Sequence, residues 1–136
     1  MKRSILACLA GLVTWIVVVS LINRGLRLSM PNYTVAEHTL QFTFAMKWAR
    51  LLMAIVTSIV AGSVTGWISR PGRWAPFIVG CAVFAMFLPL HIAIWSKLPT
   101  WYHLTFLLTI VPSVLLGALL AAHGSRDLKE GWSTPG

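Results

Sequence analysis

Two histidines are the side chains in this sequence best suited to chemistry. His91 lies near the end of one long apolar stretch and His103 near the start of the next, with the short segment 96–100 between them. Helices joined by so short a segment run antiparallel, so both imidazoles are expected near the same end, at depths about one turn apart. Facing imidazoles are the axial ligands of a b-type haem, and they also suit a metal ion or a quinone head group. The alternative is an ordinary interfacial hydrogen bond for each ring. The remaining histidines, His38 and His123, are expected at the surface.

Four apolar stretches must position these histidines. Each is long enough to cross a hydrocarbon layer of about 30 Å at 1.5 Å per helical residue. Hydrophobic residues make up 57% of the chain and charged residues 10%, against about 25% charged residues in soluble domains. The composition predicts an all-α integral membrane protein, a single four-helix transmembrane bundle over residues 1–136. The predicted spans are residues 4–22, 51–68, 75–95 and 104–122, followed by a polar tail at 123–136.

The basic residues are placed where a membrane protein needs them. The formal net charge is +8, and the positive side chains flank the spans, where they meet anionic lipid head groups. No basic run exceeds two residues, so nucleic-acid binding is not expected. Lipid-facing charge is predicted at Arg24, Arg27, Lys47, Arg50, Arg70 and Arg73.

The distribution of positive charge also predicts the orientation. The side with both termini carries Lys2, Arg3, Arg70, Arg73, Arg126 and Lys129, and the other side carries Arg24, Arg27, Lys47, Arg50 and Lys97. Because positive charge concentrates in cytoplasmic loops, both termini are expected in the cytoplasm, in a bacterial inner membrane. Tryptophans near the span ends are typical of the membrane interface; they are Trp48, Trp67, Trp74, Trp95 and Trp101.

The connection over residues 23–50 is the only loop with room for structure. Thr34 and Glu37 form a capping-box pattern, which predicts a helix from about Val35, either on the membrane surface or continuous with the second span. Residues 39–44 alternate polar and apolar side chains as a strand does, but no partner strand exists, so a helix is favoured. The links at 69–74 and 96–100 are short and predict sequential antiparallel packing of the last three spans.

Small residues recur at four-residue spacing within the spans. Such rows form grooves that allow close backbone approach, which matters in lipid because helix association depends on van der Waals contact. They either join the chain's own helices or bind another subunit. The predicted helix-packing residues are Ala54, Ser58, Gly62 and Gly66 in the second span and Ser113, Gly117 and Ala121 in the fourth, with Ala7 and Gly11 repeating the spacing in the first.

Three functional hypotheses follow. The first is a non-catalytic accessory or assembly subunit that needs no cofactor and binds other membrane-protein subunits, or itself, through the small-residue faces and the 23–50 loop. The second is a haem or quinone-handling redox protein that uses His91 and His103. The third is an oligomeric channel or carrier for a small neutral solute, since the spans contain no Asp, Glu, Lys or Arg. Cys8 and Cys81 are interpreted as small apolar filler.

Overall fold

Long helices build almost the whole chain. The computed structural model describes the backbone of residues 2–69 and 74–132, with the side chains of 2–69 and 74–124. The helices are α1 (Lys2–Ser29), α2 (Tyr33–Thr39), α3 (Phe44–Ser69), α4 (Trp74–Ala93) and α5 (Thr100–Trp132), with a 3-10 turn at Trp95–Lys97.

The predicted all-α membrane bundle is confirmed. Helices α1, α3, α4 and α5 are each long and apolar enough to cross a membrane, and the described residues contain no strand. The long helices alternate in direction along the chain, so α1 and α4 run one way across the bilayer and α3 and α5 run the other way. We call the end that carries α2 the cap end, and the opposite end, where α1 begins, the terminal end.

Helices α1, α3 and α5 extend beyond the predicted spans, whereas α4 ends at Ala93, two residues before the predicted end of its span. Helix α1 has 28 residues, which at 1.5 Å per residue gives about 42 Å, roughly 12 Å more than the hydrocarbon core. Helix α3 begins at Phe44 rather than near residue 51, and the backbone of α5 continues to Trp132 through the segment predicted as a loose polar tail. The length of an apolar stretch matches the thickness of the hydrocarbon layer. The length of a helix depends on its backbone hydrogen bonds, which continue past that layer.

The predicted loop helix is present as α2, but the predicted capping box is wrong. Asn32 precedes α2 in the left-handed conformation (φ 62°) and makes no side-chain cap bond, and the Glu37 carboxylate bonds to Asn23 and Arg27 instead. Leu40 ends α2, also with positive φ (58°). The chain therefore does not run as one helix into α3.

Helices α3 and α5 form the closest pair. A methyl group on Gly62 would overlap the carbonyl of Val114, and one on Gly66 would lie 2.8 Å from the Cα atom of Ala118. Both contact positions advance along the two chains together, so the pair is parallel. The sequential antiparallel packing predicted for the last three spans therefore describes α4 and α5, whereas the main neighbour of α3 is α5. A short link determines where a helix starts, but the glycines determine which backbone it approaches.

The same interface contains Ser63 and Gly117. A Cβ atom on Gly117 would lie 2.9 Å from the backbone nitrogen of Ser63, and the Ser63 hydroxyl donates to the Gly117 carbonyl at 3.0 Å. Of the predicted packing residues, Gly66 and Ala121 are half-buried, and the buried ones are Ala54, Ser58, Gly62, Ser113 and Gly117.

Helix α1 packs on α3 and α4 through a narrow face. Ala7 is fully buried, a Cβ atom on Gly11 would overlap the Thr65 hydroxyl, and the Trp15 indole donates to the Ser58 hydroxyl at 3.2 Å. The opposite face of α1 carries exposed apolar side chains, so in a bilayer it contacts lipid. Large exposed side chains on α1 include Ile5, Leu6, Leu9, Val13, Ile16, Val17 and Leu21.

Candidate functional site

The structure brings His91 and His103 together at the cap end of the bundle. His91 lies in the last turn of α4 and His103 in the first turn of α5. Their Nδ1 atoms are 2.8 Å apart, a hydrogen-bond distance. His91 is 3% exposed and His103 is fully buried, so the pair belongs to the interior and not to the surface.

Aromatic rings enclose the histidine pair. The Trp95 indole stacks on the His103 ring with centroids 4.7 Å apart and an interplanar angle of 13°. The Phe106 ring lies 4.5 Å from the His91 ring, and Tyr102 stacks on the same imidazole at 6.0 Å. These contacts hold both imidazoles in defined orientations, so their proton positions can be derived from their hydrogen-bond partners.

The hydrogen bond between the rings requires two different tautomers. One Nδ1 atom must carry a proton and the other must accept it. The Nε2 atom of His103 is buried without a hydrogen-bond partner, and a buried N–H group without an acceptor is the rarer and costlier case. The favoured arrangement places the proton on His103 Nδ1, which donates to His91 Nδ1. His103 Nε2 is then an unprotonated, buried acceptor without a hydrogen-bond partner.

Haem ligation does not match the present positions of the rings. Two axial ligands bind on opposite sides of the iron, about 4 Å apart given bonds of about 2 Å from histidine nitrogen to metal. The two Nδ1 atoms face each other at 2.8 Å, so a porphyrin between them would require both rings to move apart. Binding of haem or a quinone stays a prediction. The described residues contain no cluster of three or more His, Cys, Asp or Glu side chains suited to a metal ion.

A second polar cluster, which sequence reasoning missed, lies beside the histidines. We call it the cap cluster, and it comprises Asn23, Arg27, Tyr33, Glu37, Arg50 and Tyr102. These side chains come from α1, α2, α3 and α5. The cluster therefore connects the loop helix to three of the four long helices.

Arg50 is the centre of the cap cluster. Its Nε atom donates to the Tyr102 hydroxyl at 3.2 Å. Its Nη1 atom donates to the Tyr33 hydroxyl at 3.1 Å and contacts a Glu37 carboxylate oxygen at 3.4 Å. The guanidinium carbon lies 4.7 Å from the centroid of the Phe42 ring, a cation–π distance. One side chain of α3 thus joins α2, α5 and the segment between α2 and α3.

Glu37 provides the negative charge of the cluster and is the only carboxylate among the side chains that the structure describes. One of its oxygens accepts from Arg27 Nε at 2.6 Å, and the other accepts from Asn23 Nδ2 at 3.0 Å. Burial acts to raise the pKa of this carboxyl. The hydrogen bonds from Asn23 and Arg27 and the charges of Arg27 and Arg50 outweigh burial, and the pKa lies below its ordinary value.

Tyr33 completes the network between α1 and α3. Its hydroxyl accepts from Arg50 and donates to the Asn23 side-chain oxygen at 3.1 Å. Burial, the largest effect, raises the pKa of this phenol even though Arg50 acts to lower it. The hydroxyl therefore keeps its proton and remains a donor to Asn23.

The prediction of a lipid-facing charge is wrong for Arg50, whose guanidinium points into the cap cluster. Arg24 and Arg27 are exposed, Arg27 while paired with Glu37, and Lys47 is half-buried. The predicted charges at positions 70 and 73 lie outside the described residues. The sequence feature that could have indicated an inward-facing Arg50 is Glu37, the only acidic residue before position 127. A positive charge near a span end pairs preferentially with such a carboxylate.

Comparisons with known proteins gave no relative of this chain. No protein-family model, no curated protein and no solved structure matched it.

Proposed function

We propose that this protein is a non-catalytic accessory or assembly subunit of a larger membrane complex. The observation that carries the proposal is the cap cluster, which attaches α2 and the projecting end of α1 to the helices inside the membrane. A segment that is already ordered loses little conformational entropy when a partner binds, so it binds more tightly than a flexible loop of the same composition. These parts together, α2, the end of α1 and the cap cluster, we call the cap, and the cap thus supplies a preformed extramembrane surface.

The outer side of the cap is available to a partner. Val35 of α2 is 59% exposed and Leu28 of α1 is 81% exposed, and residues 27–35 line an open groove between the two helices. Thr34 and His38 are exposed on α2 as well. Apolar side chains with polar groups around them are the composition of a modest protein–protein contact.

The partner proposed for the membrane region is a helix of another subunit, or of a second copy of this chain, against α1. Among the four long helices, α1 has the smallest fraction of buried residues in its 18-residue apolar segment, 17%. The glycines that contact neighbouring helices inside the bundle are Gly11 of α1, Gly62 and Gly66 of α3, and Gly117 of α5. Association through α1 would therefore use larger apolar side chains, and the cap would supply specificity.

We further propose that both termini lie in the cytoplasm of a bacterial inner membrane and that the cap lies outside. The terminal side carries six basic residues and the cap side carries five, Arg24, Arg27, Lys47, Arg50 and Lys97. This difference supports the positive-inside orientation.

The test is the intact mass of the full chain, released from its native membrane in mild detergent, for the wild type, Glu37→Ala and His123→Ala. We expect the wild type in discrete complexes with other membrane proteins. Glu37→Ala should lose those partners while its helical circular dichroism remains. His123→Ala changes an exposed residue of α5 toward the terminal end, away from the proposed partner surface, and should retain them. A wild type found only as a monomer or homo-oligomer would overturn the subunit proposal. Partners retained by Glu37→Ala would overturn the role of the cap.

A further inference from the structure

An exposed group of aromatic rings joins the starts of α3 and α5. It consists of Phe44 and Trp48 from α3 and Trp101 from α5, and we call it the aromatic platform. The ring centroids of Phe44 lie 6.1 Å from those of both Trp48 and Trp101, and the two tryptophans are 6.0 Å apart. The rings are 68%, 46% and 38% exposed. The platform is thus preformed and open to the surroundings.

A positive charge lies beside the platform. Lys47 lies one helical turn after Phe44 on α3, because residues three apart on a helix are neighbours. The first turns of α3 and α5 contain no acidic residue, so the partial positive charge of two parallel helix starts is not compensated by a carboxylate of their own. Glu37 is only 16% exposed and is already paired with Arg27 and Arg50. The platform therefore lies in a positive field.

An apolar surface continues from the platform into the membrane region. On α3, Leu52 and Val56 are exposed on the same face as Trp48, at successive four-residue steps. On α5, Leu104 and Leu108 are exposed on the same face as Trp101. An aromatic and basic layer at the membrane interface, followed by an apolar strip of helical length, has the polarity profile of one phospholipid molecule.

We propose that the aromatic platform and Lys47 form a binding site for one anionic phospholipid. The phosphate and the anionic head group contact Lys47 and the starts of α3 and α5. The glycerol region lies on the rings of Trp48 and Trp101, whose indoles are amphipathic. One acyl chain follows the exposed strip of Leu52 and Val56, in continuity with the lipid-facing surface of the bundle.

The experiment is native mass spectrometry of the full chain in detergent with a phosphatidylglycerol and a phosphatidylcholine of identical acyl chains. We expect one phosphatidylglycerol per chain to bind in preference to phosphatidylcholine. Lys47→Gln should weaken that binding about fivefold, the effect of one interfacial lysine charge. Lys97→Gln, which removes an exposed lysine at the same end of the bundle, should leave it unchanged. Trp48→Leu should weaken binding of both lipids.

Three outcomes would overturn the proposal. Equal binding of the two lipids by the wild type would show an interfacial belt without a head-group site. Equal losses in Lys47→Gln and Lys97→Gln would show a diffuse charge effect. Displacement of the lipid by millimolar inorganic phosphate would show a site for free anions. The midpoint of thermal unfolding, measured for each variant, separates loss of binding from loss of the fold.

Discussion

The cap end and the middle of the bundle are held together by different physical means. At the cap end, Arg50 and Glu37 make directional contacts with side chains from four helices. Between α3 and α5, Gly62 and Gly117 allow the backbones to approach each other, and the Ser63 hydroxyl donates to the Gly117 carbonyl across the interface. The first arrangement depends on charge and therefore on pH. The second depends on shape, and no change of pH alters it.

The difference also separates two routes to stability in lipid. Close packing spreads many small dispersion contacts over a long interface, so it tolerates no added volume. A polar cluster concentrates stabilisation in a few groups, and removing one partner leaves the others enclosed and unsatisfied. Substitutions at the two places should therefore fail for different reasons and by different amounts.

The largest expected effect is at the α3–α5 interface. Gly62→Leu places side-chain atoms where the backbone of Val114 lies, and we expect the free energy of unfolding to fall by about 3 kcal/mol or more. Gly25→Leu is the control, because no atom lies within 4 Å of a Cβ atom at that position. The measurement is unfolding in mixed detergent micelles followed by circular dichroism. Equal midpoints for the two variants would contradict the close-packing argument.

A smaller effect is expected when the centre of the cap cluster is removed. Arg50→Met keeps the length of the side chain but deprives Tyr33 and Tyr102 of a donor. Because the Arg50 side chain is 26% exposed, we expect a loss of about 2 kcal/mol, less than for a fully buried pair. Arg24→Met, at an exposed position on α1, should change stability little.

A double-mutant cycle sharpens this second prediction. Combining Arg50→Met with Glu37→Gln should cost less than the two single changes added together, since both remove one shared contact. Fully additive losses would mean that the contact between Arg50 and Glu37 contributes nothing.

The smallest expected effect is the part of the pH response that Glu37 contributes. The pKa of Glu37 is lowered in the folded protein. Its contribution to stability is therefore complete above its ordinary value of 4.5 and is lost as the pH falls through the lowered folded value. The wild type should lose stability as the pH falls below 4.5, and Glu37→Gln should lose less over the same range. Gly62→Ala should keep the wild-type slope. Parallel curves for the wild type and Glu37→Gln would show that Glu37 is not the group responsible.

The sequence predicted part of the candidate site. It predicted that His91 and His103 share one end of the bundle, because a short link joins their helices. The sequence did not predict that the two Nδ1 atoms face each other, that Trp95 stacks on His103, or that the Nε2 atom of His103 has no partner. Those features depend on how far each helix is rotated about its axis, which no local pattern specifies.

For Arg50 and Glu37, the local sequence pattern indicated a role that the tertiary structure contradicts. Arg50 beside an apolar stretch resembles a lipid-facing charge, and Glu37 three residues after Thr34 resembles a capping box. Both patterns describe neighbours in sequence. The groups that bind Glu37, among them Asn23, come from other helices. The sequence around position 37 does not predict these partners.

The amino-acid sequence by itself determined that four helices cross a membrane. The reason is local: each helix satisfies its own backbone hydrogen bonds, and the thickness of hydrocarbon sets the length of apolar chain required. Only the tertiary structure decided that α3 lies against the parallel helix α5 and that Arg50 faces inward. Those outcomes depend on contacts such as Gly62 with Val114 and Arg50 with Tyr102, which join residues far apart in the chain, so their free energy appears only when the helices assemble.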